Sequence, residues 1–111
     1  MTDARIRVVV AEPGREPAAR QIDATLAGLQ ACVGGTIELL WCGGNLGPFP
    51  GLVLYVHGEG RLLELPPMRW FGQWIFGPIV VTAEDTDGEM RSLTTWEAER
   101  VRGALLAASR V

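Results

Sequence analysis

The sequence predicts an α+β fold, a mostly antiparallel sheet of four to five strands with two packed helices. Short apolar runs recur along the 111-residue chain, and alternation of apolar and polar side chains within such runs is typical of strands. Turns that contain glycine and proline separate the runs, which favours antiparallel hairpins. Two further segments carry apolar residues at helical spacing. Neither a repeat nor a linker divides the chain, so we expect one domain over residues 1–111.

The N-terminal elements are predicted as a hairpin followed by a helix. Residues 5–11 alternate charged and apolar side chains and then become β-branched, which indicates a strand. Residues 12–15 form a turn around a Pro-Gly pair. Residues 18–22 then pair back on the first strand. Asp23 is the predicted N-cap of a helix that runs to Val33.

The middle of the chain is predicted to add two strands. Gly34 and Gly35 end the helix, because glycine adopts the left-handed conformation found after many helices. Residues 36–41 form a strand and residues 42–51 a loop. Residues 52–57 form the next strand, which is apolar on both faces. Either helices on opposite sides of the sheet or a second copy of the chain must cover those faces, and we expect a homodimer.

The segment after residue 61 is harder to interpret. Residues 62–70 are ambiguous, because Pro66 and Pro67 forbid a regular helix through their centre. Residues 74–83 are predicted to form the last strand. Pro78 inside it lacks an amide donor, so we expect that strand at an edge of the sheet or with a bulge.

The chain is predicted to end in a second helix. Thr94 and Glu97 have the spacing of a capping box, in which a hydroxyl and a carboxylate each bind an unpaired amide. After them, Ala98, Val101 and Leu105 lie on one helical stripe, with charged residues outside it.

Composition excludes several classes of protein. The chain has 13 acidic residues against 10 basic ones, a formal net charge of −3, and 48% hydrophobic residues. This balance is that of a globular protein, and it disfavours a nucleic-acid-binding module. The N-terminus lacks the pattern of a signal peptide. The uncharged stretch between Glu38 and Glu59 is interrupted by glycine and proline, so we predict a soluble, cytoplasmic protein without a membrane span.

Cofactor and metal motifs are absent from the sequence. The best metal-ligand set would be Cys32, Cys42, His57 and a carboxylate, without a Cys-x-x-Cys element, so buried thiols are the better interpretation. The glycine-rich loop at residues 43–47 precedes Pro-Phe-Pro and a strand. A phosphate-binding loop needs a Lys-Ser/Thr pair or a helix there. We therefore predict a hairpin connection, no metal site and no cofactor.

Polar residues for a catalytic or ligand site are few. His57 is the one side chain that titrates near pH 7 and is a candidate general base, with a surface histidine at a strand end as the alternative. Glu38, alone among apolar neighbours, could pair with Glu59 or Glu64. Tyr55 shares a strand face with His57.

Residues 68–76 are the most informative stretch, since they hold four of the eight aromatic residues of the chain. Arg69, Trp70 and Trp74 are residue types that dominate protein interfaces, because they bury a large area and still offer a polar group. The alternative is that these side chains form the core of the domain itself. The sequence leaves both interpretations open.

Five segments of the sequence follow one another in a characteristic order and spacing: IRVVVAEPG (6–14), RQID (20–23), LQxxVGGxIE (29–38), EGRL (59–62) and IxGPIVV (75–81). In this the chain resembles a small bacterial and phage family, domain of unknown function 3846. Met68 stands where that family usually has asparagine. The resemblance implies an α+β fold and an association with phages, plasmids and other mobile elements. It implies no reaction.

The function we favour is a non-enzymatic accessory module that binds a protein partner, such as a host or defence factor, through Arg69, Trp70 and Trp74.

Two alternatives remain at this point. One is a small-molecule or nucleotide binding domain with a pocket lined by Glu38, Tyr55, His57 and Arg69. The other is a small enzyme that uses His57 with a carboxylate such as Glu38 or Glu59.

Overall fold

The structure, a computed structural model, describes residues 5–43 and 51–109 of the chain. Its elements in chain order are β1 (Arg5–Ala11), β2 (Ala18–Asp23), α1 (Leu26–Val33), β3 (Ile37–Gly43), β4 (Leu52–His57), β5 (Pro67–Trp70), β6 (Gln73–Phe76), β7 (Ile79–Glu84), β8 (Met90–Arg91) and α2 (Thr95–Ala108). The predicted α+β class, with a mostly antiparallel sheet and two helices, is confirmed. The predicted glycine-rich loop lies mostly in residues 44–50, outside the described residues, as does the side chain of Cys42.

The main sheet is antiparallel, with strand order β2-β1-β7-β4-β3, and β8 pairs with β7. β7 is central, and Ile79, Val80 and Val81 are fully buried. The expectation that residues 74–83 form one strand, at an edge of the sheet or with a bulge, is therefore wrong, because they belong to two strands, β6 and β7. The chain leaves one strand and enters another at Gly77, whose φ of 103° suits glycine, and Pro78. Pro78 precedes β7, so its missing amide removes no hydrogen bond from the ladder.

β5 and β6 form a separate two-stranded antiparallel ribbon from the segment that the sequence left ambiguous. Pro67 is the first residue of β5, a position that proline tolerates in a strand. Phe71 and Gly72 connect the strands with φ of 48° and 82°. Positive φ at both central residues is the mark of a tight hairpin turn that matches strand twist. The amide of Phe71 donates to the carbonyl of Ala108 at 3.0 Å, which ties the ribbon to the end of α2.

The two helices cover opposite faces of the main sheet, the first of the two arrangements expected from the sequence. α1 packs through Leu29 and Val33 on one face, against Ile6, Val8, Val10 and Val80. α2 and the ribbon cover the other face, where the buried residues include Val9, Leu52, Leu54, Ile79, Val81, Trp70, Ile75, Val101 and Leu105. Within the described ranges, neither helix is long and apolar enough to cross a membrane.

Helix starts differ from the prediction in one case. Thr25, and not Asp23, is the N-cap of α1, and its hydroxyl accepts the amide of Gly28 at 3.0 Å. Asp23 ends β2 instead, because its carboxylate pairs with Arg5 on β1 at 2.9 Å. The capping box at the start of α2 is present as predicted.

Candidate functional site

The pairing of β3 with β4 separates the polar residues that the sequence grouped into one pocket. Ile37 lies opposite His57, and Glu38 lies opposite Val56. Directly opposed residues project from the same face of a sheet, and successive residues alternate. His57 and Tyr55 therefore face α1, whereas Glu38 faces the ribbon side. The structure does not bring Glu38 together with Tyr55, whereas Glu38 and His57 both border one open pocket of about 150 Å³.

His57 is buried, with 6% of its surface exposed, which corrects the interpretation as a surface histidine. Its Nδ1 accepts the amide of Glu59 at 2.9 Å. Its Nε2 lies against Gly35, so closely that a Cβ at position 35 would overlap the ring. The imidazole therefore stabilises the turn that follows β4 and packs against Gly35.

Trp70 belongs to the core. It is 9% exposed and packs in the same cluster as Ile75 and Met68 on the inner face of the ribbon. Its Nε1 is buried, and no described residue accepts a hydrogen bond from it. The structure therefore removes Trp70 from the residues that can contact a partner.

Arg69 and Trp74 lie directly opposite each other on the outer face of the ribbon. The Arg69 guanidinium carbon stands 4.8 Å from the centre of the Trp74 ring, a cation–π arrangement. Trp74 is 52% exposed, and Arg69 is half-buried. The Nε of Arg69 is shielded from solvent, and no described residue accepts its proton. The pair thus presents a large aromatic surface beside a charge that is only partly hydrated.

A second stacked pair continues the same face. Phe76 follows Trp74 by two residues on β6, so both rings project to the same side. The guanidinium of Arg61, from the loop before β5, lies 4.6 Å from the centre of the Phe76 ring. The sequence analysis missed Arg61, although the Trp-x-Phe spacing on a strand was a signal for a shared face.

We call Arg61, Arg69, Trp74 and Phe76 the ribbon surface. An open pocket of about 150 Å³ lies at its margin, lined in part by Arg61, Trp74 and Phe76 and also by Glu38 and His57. Four of the predicted site residues therefore lie at or beside this surface: Glu38, His57, Arg69 and Trp74.

Other parts of the described chain offer less. A pocket of about 250 Å³ between β2 and α1 includes Arg5 and Arg20, but these pair with Asp23 and Glu12. Cys32 borders it, and burial raises the pKa of its thiol, while the nearby Arg20 partly opposes this effect. Among the described residues, no three side chains of the metal-binding types cluster.

Comparison with known proteins yields one match. Residues 6–105 of the 111-residue chain match the model of a family described as Domain of unknown function (DUF3846). No curated protein and no solved structure matches the chain.

Proposed function

The chain belongs to the family described as Domain of unknown function (DUF3846), and we propose that it is a non-enzymatic module that binds a partner protein through the ribbon surface. The observation that carries the proposal is the Arg69–Trp74 pair, an exposed indole stacked with a guanidinium that has an unpaired, desolvated Nε. An exposed tryptophan beside a guanidinium that forms no ion pair with a described carboxylate supports a role beyond folding.

A protein suits this surface better than a small molecule. Tryptophan and arginine are enriched among the residues that carry most of the binding energy at protein interfaces. The pocket beside this surface, of about 150 Å³, is smaller than the roughly 300–1,000 Å³ typical of ligand sites. The formal net charge of −3 also disfavours a nucleic-acid backbone. Since the resembled family occurs in bacteria and phages, we expect a bacterial or phage protein as partner.

Affinity purification with matched variants tests the proposal. Tagged wild-type protein, W74A and R69A are used to capture proteins from a bacterial lysate, and a protein that copurifies with the wild type is then purified itself. Its affinity is measured by calorimetry. We expect W74A and R69A each to weaken the complex about tenfold or more, as for central interface residues.

W96A is the matched control for W74A. Trp96 on α2 is 57% exposed and lies under Arg100, with 5.6 Å between the guanidinium carbon and the ring centre. It is therefore a comparable exposed pair outside the ribbon surface, and W96A should bind like the wild type. The proposal fails if W74A and R69A capture the same proteins with the same affinity as the wild type. Native mass spectrometry that finds a retained small molecule of a few hundred daltons would instead favour the ligand-binding alternative.

A further inference from the structure

We infer that the ribbon surface recognises an extended acidic segment of the partner, in which two carboxylates at alternate positions, Glu-x-Glu or Asp-x-Asp, bind Arg61 and Arg69. This inference rests on the proposed function and names the chemistry of the partner. It concerns the two guanidinium groups of this surface, which form no ion pair with a carboxylate of residues 5–43 or 51–109.

The described arginines differ in the partners of their guanidinium groups, and those of Arg61, Arg69 and Arg100 lie over aromatic rings. Within the described residues, four of them form ion pairs with carboxylates: Arg5, Arg20, Arg91 and Arg102. Arg61 and Arg69 instead have contacts with aromatic rings, and neither forms an ion pair with a described carboxylate. Stacking on a ring occupies the flat face of a guanidinium and leaves the N–H donors at its edge. Those donors form a planar fork that fits a carboxylate with two parallel hydrogen bonds.

Stacking also reduces the cost of binding. Each ring restricts the rotation of a long arginine side chain before a partner arrives, so less conformational entropy is lost in the complex. Arg69 is half-buried, and its Nε is shielded from water. A partly desolvated cation interacts more strongly with an incoming anion than a fully hydrated one does.

The spacing of the two groups indicates the shape of the partner. Trp74 and Phe76 are two residues apart on one strand, so their rings are separated by roughly 7 Å along β6. Because the guanidinium carbons of Arg61 and Arg69 lie 4.6 and 4.8 Å from the centres of these rings, we infer a similar separation for the two charges. Side chains at alternate positions of an extended chain have this separation too. Carboxylates at positions i and i+2 of an extended segment can thus meet both guanidinium groups at once.

Glu38 limits where the acidic residues of the partner segment can lie. Its exposed side chain borders the pocket that Arg61 also lines. A partner carboxylate placed next to Glu38 would be repelled. The acidic positions of the partner must therefore face Arg61 and Arg69, with a neutral residue opposite Glu38. The E38Q variant should bind an acidic segment more tightly than the wild type does.

Synthetic peptides of one length test the inference directly. The probe is a threonine- and valine-rich peptide with a central Glu-x-Glu, compared with its Gln-x-Gln and Lys-x-Lys counterparts and with an isomer whose two glutamates are adjacent. Binding is followed by fluorescence anisotropy of a label on the peptide, in wild type, R61A, R69A and E38Q. R100A is the matched control, since Arg100 also stacks on an exposed tryptophan.

We expect the Glu-x-Glu peptide to bind best, with an affinity that falls as salt is added. R61A and R69A should each weaken it about tenfold, R100A should not, and E38Q should tighten it. The inference is overturned if the Gln-x-Gln or Lys-x-Lys peptide binds as tightly as the Glu-x-Glu peptide, or if R61A and R69A have no effect on its affinity. It is also overturned if E38Q weakens binding, or if a single-stranded oligonucleotide binds the protein more tightly than the Glu-x-Glu peptide does. Failure of the peptides while W74A still disrupts a captured complex would refute the acidic segment and leave the proposed function standing.

Discussion

Trp70 and Trp74 are separated by three residues, and the pairing of β5 with β6 places their side chains in different environments. Trp70 packs in the core, while Trp74 lies on the outer face, 52% exposed. The sequence could predict that residues 68–76 mix core and surface. It could not assign the two indoles, because the assignment depends on which residues sit in the two-residue turn, here Phe71 and Gly72. A shift of the turn by one position would exchange the faces.

Truncation of each tryptophan should therefore have a different effect on the free energy of unfolding. W70A creates a cavity in the core and should cost about 3–5 kcal/mol. W74A removes a largely solvated ring and should change the free energy of unfolding by roughly 0.5 kcal/mol, as is usual for surface substitutions. Urea unfolding followed by circular dichroism measures both, with W96A as the control for an exposed tryptophan. Equal losses in W70A and W74A would contradict these positions.

The sequence alone does not predict whether all of the predicted pocket residues, Glu38, Tyr55 and His57, lie on the same face of the sheet. Alternation within a strand correctly put Tyr55 and His57 on one face of β4. Whether Glu38 joins them depends on the register between β3 and β4, and the structure pairs it with Val56 instead. Register is set by hydrogen bonding and turn geometry across strands, which no pattern within a single strand contains.

At the scale of the elements, two helix glycines have opposite roles. Gly28 lies in α1 where a Cβ would overlap the carbonyl oxygen of Asp23 at the end of β2. Gly103 lies in α2, and a Cβ there would meet nothing within 4 Å. Helix propensity favours alanine over glycine at both positions by about 0.5–1 kcal/mol.

G28A and G103A should therefore change stability in opposite directions. G103A is expected to raise the free energy of unfolding by about 0.5–1 kcal/mol. G28A should lower it by about 1–3 kcal/mol, because α1 must move away from β2 to accommodate the methyl group. Thermal and urea unfolding of the two variants measure this. Stabilisation by G28A would show that the close contact between α1 and the end of β2 does not exist in solution.

The start of α2 is held by an ion pair that makes stability depend on pH. Arg91 of β8 donates to both carboxylate oxygens of Glu97, at 2.8 and 3.0 Å, and Glu97 Oε1 also accepts the amide of Thr94. These hydrogen bonds, the one from Arg91 first, lower the pKa of Glu97, although burial opposes them. A carboxyl whose pKa is lower in the folded state stabilises the protein above its unfolded pKa. That contribution is lost as the pH falls through the folded value.

E97Q isolates this charge, because glutamine can still accept the Thr94 amide. At pH 7 the free energy of unfolding of the variant should be about 1.5–3 kcal/mol lower than that of the wild type, the range for hydrogen bonds to charged groups. The difference should shrink as the pH falls below about 4.3, the ordinary glutamate pKa. E99Q is the control, since Glu99 is exposed and its pair with Arg102 lies on the surface of α2. Unfolding experiments between pH 3 and 7 measure both, and a difference that is independent of pH would contradict the assignment.

The elements themselves were largely predictable, and the exceptions have local causes. The strands β1, β2, β3 and β4, α1 and α2 follow from apolar periodicity and from glycine or capping signals. Residues 74–83 were misassigned because their apolar pattern runs unbroken through Gly77 and Pro78. The turn there depends on a hydrogen bond from the amide of Gly77 to the carbonyl of Pro66. It also depends on the packing of Leu65 against Gly77, since a Cβ at position 77 would lie 2.9 Å from Cδ1 of Leu65. Both partners lie more than ten residues away and leave no signal near the turn.

At the scale of the whole molecule, the positions of the two helices bear on oligomerisation. The sequence suggested a homodimer because β4 is apolar on both faces. In the structure α1 covers one face, and α2 with the ribbon covers the other, so no apolar sheet face of the described chain requires a second copy. An oligomer would then have to form through another surface, such as the ribbon surface, a sheet edge (β2 or β3) or the exposed Trp96 of α2.

Native mass spectrometry of the purified protein separates these cases. Because both faces are covered, we expect a species of 12.0 kDa at micromolar concentration. A species of twice that mass would contradict this expectation, and W74A then reports where the second copy binds. If W74A restores the monomer, the ribbon surface is itself the contact between copies and competes with any other partner. If the dimer persists in W74A, the contact between copies lies elsewhere, and the ribbon surface stays free for a different protein.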